Sequence, residues 1–197
     1  MRSLAGVVAT ALAWALLPAA SASAQEPAAS PAAPPSARVE TDHGAFVIRL
    51  RPDIAPRHVR HFVRVARAGG YEGTVFHRIV PRGIIQGGDP LSKDPKKKAL
   101  YGTGGLGLLK AELSAQPMAR GAVAAVLRPS SKDSAGNQFF ICLSDQPALT
   151  GKFTIFGEVE SGMEAVDAIG ASPVAGDRAV ERIVIRRVSI TDAEAAR

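Results

Sequence analysis

Apolar residues between positions 38 and 190 recur mainly in short runs with the period of two that is typical of β-strands. Residues 39–50 predict two strands on either side of a turn at Asp42–Gly44, because these residue types favour tight turns. Further strands are predicted at residues 75–80, 84–85, 121–127, 138–143, 154–159 and 181–190. The pattern therefore predicts seven or eight short strands.

Two segments have the pattern of a helix. Pro56 occupies a plausible first helical position, apolar residues follow at near-helical spacing through 57–68, and Gly69–Gly70 ends the segment. A second, short helix is predicted at 162–169 and ends at Gly170. Because helices do not alternate regularly with strands, the pattern favours an antiparallel barrel or a sandwich.

The first 24 residues have the layout of a secretory signal peptide. Arg2 is a short positive segment, Leu4–Leu17 is uncharged and apolar, and Ala22–Ala24 supplies an A-x-A cleavage site. The apolar run is shorter than the roughly 20 residues of a membrane-spanning helix. We therefore expect cleavage after Ala24, a periplasmic or secreted location and no stable membrane insertion. A retained membrane anchor is the alternative.

Composition divides the rest of the chain into three parts. Residues 25–37 are rich in proline, alanine and serine and predict a disordered or polyproline-like linker. Residues 38–192 are expected to form the folded domain, and residues 193–197 a short tail. The domain is long enough to bury a core of its own.

The net charge of +6 comes from scattered basic residues, apart from Lys96–Lys98 and the stretch from Arg51 to Arg67. A nucleic-acid-binding surface usually concentrates such charge and interleaves aromatic residues, so no nucleic-acid partner is expected. Cys142 is the only cysteine, which excludes an internal disulfide bond. Its apolar neighbours indicate a buried small side chain rather than a reactive thiol.

Several familiar kinds of site are poorly supported. His58 and His61 could present two imidazoles from one helix, but no cysteine or well-placed acid joins them, so a solvated helix face is favoured over a metal site. His77 has no recognisable partners for a catalytic triad. Residues 102–107 are glycine-rich but lack the G-K-[ST] ending of a phosphate loop. We expect no metal and no cofactor.

Two segments carry the remaining chemical signal. Residues 76–89 join an arginine to an apolar, strand-forming run that ends in Gln-Gly-Gly-Asp, and residues 133–141 contain Gln-Phe-Phe-Ile. The combination resembles the cyclophilins, which are peptidyl-prolyl cis-trans isomerases, of the bacterial secreted kind. The resemblance spans about residues 38–190. The matching blocks are Phe76–Arg78, Ile85–Pro90, Gly121–Ala124, Ser134–Ile141 and Phe156–Gly157.

The resemblance implies an all-β-dominated fold, a closed antiparallel eight-stranded β-barrel with two α-helices. It implies isomerisation of X-Pro bonds, with proline-containing peptides and unfolded exported proteins as partners, and no cofactor or metal. Without heptads or an obvious apolar patch in the sequence, a monomer is expected.

The resemblance also implies which residues act. Arg78 would be the catalytic arginine, and Gln86 would hold either that arginine or the substrate backbone. Phe140 would form the floor of the proline pocket, and Gln138 would hydrogen-bond the substrate main chain. The full set of implied substrate-binding residues is Phe76, His77, Ile84, Leu127, Arg128, Gln138, Phe140, Leu149 and Phe153.

Three positions depart from the family pattern. Gly83 replaces a pocket phenylalanine, Ala148 replaces an aromatic rim residue, and Phe153 replaces a rim histidine or tyrosine. The loss of a phenyl ring would remove about 2 kcal/mol of apolar contact, which Phe153 could partly restore. Reduced turnover or an altered substrate preference is expected. A cyclophilin-fold module that binds proline peptides or acts as a chaperone with weak or no catalysis is one alternative, and an unrelated β-barrel binding protein is another.

Overall fold

The computed structural model describes residues 34–192 and contains nine strands and two α-helices in that range. The strands are β1 (Ser36–Thr41), β2 (Gly44–Leu50), β3 (Val75–Val80), β4 (Ile84–Gly87), β5 (Ala122–Ala125), β6 (Phe139–Cys142), β7 (Ile155–Ser161), β8 (Val174–Ala175) and β9 (Arg178–Thr191). The helices are α1 (Pro56–Arg67) and α2 (Met163–Gly170). Short 3₁₀ helices lie at Pro90–Lys93, Pro95–Leu100 and Pro147–Leu149.

The strands form one antiparallel sheet in the order β1-β2-β7-β5-β6-β4-β3-β9-β8. Pairing of β1 with β9 closes the first eight of these strands into a barrel, and β8 extends from β9 outside the closure. The expected eight-stranded barrel is therefore confirmed, and the sandwich is excluded. The first strand begins at Ser36, three residues before the strand start predicted at Val39, because Ala37 is already buried in the core. The expected signal peptide lies outside the described residues.

Helix α1 takes its N-terminal cap from a distant residue. Ala55 precedes the helix and supplies no side-chain hydrogen bond. The Glu112 carboxylate accepts hydrogen bonds from the backbone N–H groups of Arg57 and His58, at 3.1 and 3.0 Å. These are donors that a helix leaves free in its first turn, and a negative charge is favourable there. Neither α-helix in residues 34–192 has the length and hydropathy needed to cross a membrane.

Alternation along β6 divides its side chains between two apolar clusters. Phe139 and Ile141 point into the barrel core, whereas Phe140 and Cys142 point to the outer face of the sheet. Successive side chains of a strand face opposite sides, so this division follows directly from the sequence Phe-Phe-Ile-Cys. The outer cluster consists of Met118, Ala122, Ala124, Phe140, Cys142 and Ile155. It gives the outside of the barrel an apolar floor at this point.

The long segment between β4 and β5 is fastened by Asp89, which is fully buried. One carboxylate oxygen accepts from the backbone of Leu91 at 2.8 Å, and the other accepts from Gly102 at 2.6 Å and Gly104 at 3.2 Å. A Cβ at Gly104 would lie 2.3 Å from the Asp89 carboxylate, so only glycine fits there. The glycine-rich segment at 102–107 is thus bound to a carboxylate of the protein itself.

The turn between β3 and β4 holds Arg82 in a left-handed conformation with φ of 60°. This conformation costs a non-glycine residue about 1–2 kcal/mol. We expect Arg82→Gly to raise the free energy of unfolding by about 0.5–1 kcal/mol, because glycine adopts this conformation without strain. The gain is smaller than the full strain energy, since glycine also adds conformational freedom to the unfolded chain. Urea denaturation measures the change. Arg82→Ala also removes the charge but keeps the strain, so an equal gain from alanine would refute this explanation.

Candidate active site

One row of side chains crosses the outer face of the barrel. In the sheet register Arg78 of β3 pairs with Gln86 of β4, Gln86 pairs with Phe140 of β6, and Phe140 pairs with Ala124 of β5. Directly paired residues of neighbouring strands lie about 5 Å apart and face the same side. The row therefore brings a cation, a carboxamide and an aromatic ring together on one surface.

Hydrogen bonds connect the polar members of this row to the interior. Arg78 Nη1 donates to the Gln86 carboxamide oxygen at 3.4 Å, and Gln86 Nε2 donates to the Gln138 carboxamide oxygen at 3.0 Å. Gln138 Nε2 donates in turn to the carbonyl oxygen of Gly104 at 2.7 Å. Both glutamines are buried, so the relay fixes their orientation and presents an acceptor to Arg78.

Asp177 contacts the guanidinium of Arg78 from a second side. Arg78 Nε donates to the Asp177 carboxylate at 2.6 Å, and this hydrogen bond holds the pKa of Asp177 below its usual value. The Arg78 side chain is 40% exposed, so the remaining guanidinium donors are accessible to a ligand. The motifs gave no sign of Asp177, because only the pairing of β3 with β9 brings it close.

A cavity of about 350 Å³ lies beside this row, at the lower end of the range for small-ligand sites. Its walls are mainly apolar, and Arg78, Gln86 and Gln146 are its polar members. Seven of the expected site residues line it, namely Arg78, Ile84, Gln86, Leu127, Phe140, Leu149 and Phe153. Gly83, which the family pattern already placed in the pocket, also lines it, and Val80, Val126 and Gln146, which the motifs did not indicate, complete the lining.

The aromatic lining of this cavity differs from the family pattern as the sequence indicates. Gly83 contributes no ring, and a Cβ at that position would lie 2.9 Å from Val80 Cγ1, so a larger side chain would force Val80 to move. Phe153 stands edge-on to Phe140, with ring centroids 5.3 Å apart and an interplanar angle of 88°. Phe153 therefore supplies an aromatic wall on this cavity.

The other expected binding residues lie elsewhere. Phe76 is fully buried in the core and packs against Phe139, so its ring is beneath the surface. His77 lines a second, larger cavity beside the first. Gln138 is buried behind Gln86 in the relay. Arg128 lines neither cavity, and its guanidinium packs over Gly107 and donates to the Leu106 carbonyl at 3.3 Å.

The histidines of α1 have structural partners instead of the solvated face that the sequence favours. His58 Nδ1 contacts the Glu112 carboxylate, and His61 Nε2 lies 2.7 Å from the Asn137 side-chain oxygen. Within residues 34–192 no group of three or more histidine, cysteine or acidic residues is arranged to hold a metal. Burial raises the pKa of the Cys142 thiol to about 12, so Cys142 behaves as a buried apolar residue.

The burial of His77 is expected to make the stability of the domain depend on pH. Burial lowers the pKa of His77, and the charge of Asp89 opposes this only in part. The unfolded chain, with a histidine pKa near 6.5, binds more protons than the folded chain below that pH. The free energy of unfolding should therefore fall as the pH drops from about 7 to 5.

Equilibrium denaturation of the wild type and His77→Phe at several pH values tests this expectation. The slope of unfolding free energy against pH should be smaller in the variant. Some slope should remain, because burial also lowers the pKa of His58. Equal slopes in the two proteins would contradict the assignment to His77.

Comparisons with known proteins agree with this geometry. The family model for cyclophilin type peptidyl-prolyl cis-trans isomerase matches residues 36–190. The chain is 41% identical over 143 residues to a probable peptidyl-prolyl cis-trans isomerase of Brucella suis, covering 70% of this chain and 72% of the relative. It is 34% identical over 155 residues to peptidyl-prolyl cis-trans isomerase CYP18-2 of Arabidopsis thaliana, covering 78% of this chain and 92% of the relative.

Comparison with a solved structure points to the same family. The chain superposes with a TM-score of 0.72 and 26% identity on a Cryptosporidium parvum cyclophilin type peptidyl-prolyl cis-trans isomerase, crystallised in the presence of the dipeptide Ala-Pro. The match covers 80% of this chain and 99% of the other. The shared fold therefore extends over nearly the whole of that protein.

Proposed function

Because the chain belongs to the family of cyclophilin-type peptidyl-prolyl cis-trans isomerases, we propose that Arg78 is the group that accelerates rotation about the X-Pro bond. In this mechanism the Arg78 guanidinium donates a hydrogen bond to the prolyl nitrogen while the proline ring occupies the 350 Å³ cavity. The observation that supports it is the placement of a partly exposed cation at the edge of an apolar cavity of this size.

The chemistry needs a donor at that position. Amide resonance gives the bond a rotational barrier near 20 kcal/mol. As the bond twists, the prolyl nitrogen becomes pyramidal and regains a lone pair, which can then accept a hydrogen bond. A donor fixed over this nitrogen stabilises the twisted state more than the planar one, and only such a difference accelerates a reaction. The apolar walls act in the same direction, because the twisted amide is less charge-separated.

The two contacts on Arg78 suit this role. Asp177 accepts from Nε and Gln86 accepts from Nη1, so the plane of the guanidinium is held, and its other N–H groups have no partner within residues 34–192. Preorganised donors need little rearrangement when the transition state forms. Phe140 and Phe153 would contact the proline ring, and Leu149 and Ile84 would complete the apolar wall.

Phe153 should contribute more to binding of the proline ring than its rim position suggests, because Gly83 contributes no aromatic ring to the cavity. Phe153→Ala is expected to lower kcat/KM for an X-Pro peptide about 10-fold, the effect of losing roughly 1.4 kcal/mol of apolar contact. Phe153→Leu, which keeps most of the apolar surface, should lose less. A kcat/KM for Phe153→Ala equal to that of the wild type would show that Phe153 does not contact the proline.

We further propose that the clients are unfolded exported proteins and that the domain acts as a monomer in the periplasm or outside the cell. The support is the apolar segment Leu4–Leu17 followed by Ala22–Ala24, which lies outside the described residues. The intact mass of the protein recovered from an exported fraction tests this proposal. A chain that begins at Gln25 supports it, and a cell-retained chain that begins at Met1 contradicts it.

Catalysis is separated from binding by NMR exchange spectroscopy on a proline peptide. A catalytic amount of the folded protein should produce exchange between the cis and trans forms of the peptide, seen as line broadening or as exchange cross-peaks. A titration should give the Kd of the peptide for the protein. Binding without exchange would instead favour a proline-peptide-binding or chaperone module, the alternative that Gly83 and Ala148 suggest. The same peptide serves both measurements, so the two outcomes cannot be confused.

A further inference from the structure

A second cavity of about 480 Å³ lies next to the proposed proline cavity. The two share four lining residues, Arg78, Gln86, Val126 and Leu127. A peptide bound with its proline in the smaller cavity would therefore bring a neighbouring side chain to the larger one. The composition of the larger cavity then bears on which peptides bind.

An irregularity in β9 builds one wall of this cavity. Phe76 of β3 pairs with Ile183 of β9, but Arg78, only two residues later, pairs with Arg178. The additional residues of β9 form a bulge, and bulges commonly re-aim side chains beside active sites. The bulged residues 179–182 include Arg182, and Arg178 lies directly before them; both line the cavity. The 3₁₀ helix Pro95–Leu100 contributes Lys98 to the same lining.

The lining has more positive than negative charge. Arg78, Lys98, Arg178 and Arg182 are cationic, whereas the carboxylates are Asp177 and Glu181. Asp177 is engaged by Arg78. Within residues 34–192 no carboxylate lies within ion-pairing distance of Lys98, Arg178 or Arg182. These three charges are therefore available to an anionic ligand.

Neutral groups hold the two arginines in place. Arg178 Nη1 donates to the Lys98 carbonyl oxygen at 3.2 Å. Arg182 Nη1 donates to the Ser92 carbonyl oxygen at 3.1 Å and to the Tyr101 hydroxyl at 2.8 Å. These contacts fix the guanidinium groups without cancelling their charge. A carboxylate would then meet donors whose freedom is already restricted, which lowers the entropic cost of binding.

A buried imidazole, that of His77, forms part of the cavity wall. His77 is only 8% exposed, and neither ring nitrogen has a hydrogen-bond partner within the described residues. The ring stands edge-on to Tyr101, and its Nε2 faces Gly102, another lining residue. Both ring nitrogens are enclosed by protein atoms, so His77 shapes the wall of the cavity and neither nitrogen reaches a ligand there.

We propose that this basic cavity is a subsite for an acidic side chain, aspartate or glutamate, of the proline-containing substrate. The inference rests on the proposed function for the site of catalysis and adds a preference among substrates. Its ligand is a carboxylate on a residue near the proline. Lys98, Arg178 and Arg182 bind that carboxylate, while the proline ring remains in the smaller cavity.

The test uses pairs of X-Pro peptides that differ only in glutamate against glutamine, placed in turn at each position from two before to three after the proline. For one position the glutamate peptide should have a kcat/KM about three- to ten-fold higher, the range for charge-assisted contacts at a partly exposed site. The preference should shrink when the salt concentration is raised, because exposed charges are screened.

Variants assign the preference to the cavity. The double variant Lys98→Gln with Arg178→Gln should bring the glutamate-to-glutamine ratio close to one. Arg187→Gln is the matched control, because Arg187 is exposed on the same strand and lines neither cavity. It removes one positive charge and should leave the ratio unchanged. Arg178→Glu places a carboxylate among the remaining cations and should lower the glutamate-to-glutamine ratio more than Arg178→Gln does.

A ratio near one at every position in the wild type would overturn the subsite, as would an equal loss of the ratio in Arg187→Gln. Failure of the proposed function has a different signature, since neither peptide would then be isomerised. In that case fluorescence anisotropy gives the Kd of each labelled peptide. Tighter binding of the glutamate peptide that Lys98→Gln with Arg178→Gln removes still supports the subsite, and equal Kd values overturn it.

Discussion

The Arg78→Ala variant is expected to lose about 10²- to 10³-fold in kcat/KM for X-Pro isomerisation, the usual effect of removing one preorganised donor from a transition state. Alanine leaves the proline cavity in place but removes the cation at its edge. Because the hydrogen bond to the prolyl nitrogen forms only in the twisted state, the loss should appear mainly in kcat. Peptide exchange by NMR measures this step directly.

Two further substitutions make the Arg78 result specific. Arg78→Lys keeps the charge but lacks the planar fork that Asp177 and Gln86 hold, so it should recover only part of the activity. Arg187→Ala removes an exposed arginine that lines neither cavity and should match the wild type. If Arg78→Ala loses less than about three-fold, the proposed donor is not Arg78.

The second large effect concerns stability. Asp89→Ala should lower the free energy of unfolding by about 3–5 kcal/mol, because it leaves backbone donors of Leu91, Gly102 and Gly104 without their buried acceptor. Urea denaturation followed by circular dichroism gives this value. Asp89→Asn keeps one carbonyl oxygen and should lose less than alanine does.

Asp133→Ala is the matched control for Asp89→Ala. Asp133 also accepts from the backbone N–H of a loop residue, Ala111 at 2.9 Å, but it is exposed to solvent. Water can replace that acceptor, so a loss of at most about 1 kcal/mol is expected. Similar losses in the two variants would mean that the buried position of Asp89 has no special importance.

Alternation in the sequence was sufficient to predict most of the strands but not the way they join. Phe139 and Phe140 fall on opposite faces of β6 simply because they are adjacent. Closure of the barrel depends on β1 pairing with β9, at the two ends of the domain. No local pattern records that pairing, which is why the residue pattern alone left a sandwich open.

The candidate site was likewise predictable where it depends on local sequence, and not where it depends on contacts between distant segments. Arg78, Gln86 and Phe140 belong to short motifs, and the register of β3, β4 and β6 then places them in one row. Asp177 precedes β9 and reaches Arg78 only through the fold. Phe76 lies in the same motif as Arg78, but its ring faces the core, and proximity along the chain could not reveal this.

The segment at 90–107 was the hardest to predict. Its glycines and lysines have no regular period, so neither the 3₁₀ helices nor the basic cavity could be derived from pattern. Its conformation depends on Asp89, a single buried carboxylate whose partners lie up to fifteen residues away. Asp89 belongs to a motif, yet its structural role becomes clear only from these hydrogen bonds.

The central claim is that the positive guanidinium of Arg78 stabilises the twisted X-Pro bond. The most direct test replaces Arg78 by citrulline through semisynthesis, because citrulline has nearly the same shape but no charge. We predict that the Kd of an X-Pro peptide changes by less than about three-fold while the NMR exchange rate falls by about 10²-fold or more. An exchange rate equal to that of the wild type would contradict the claim.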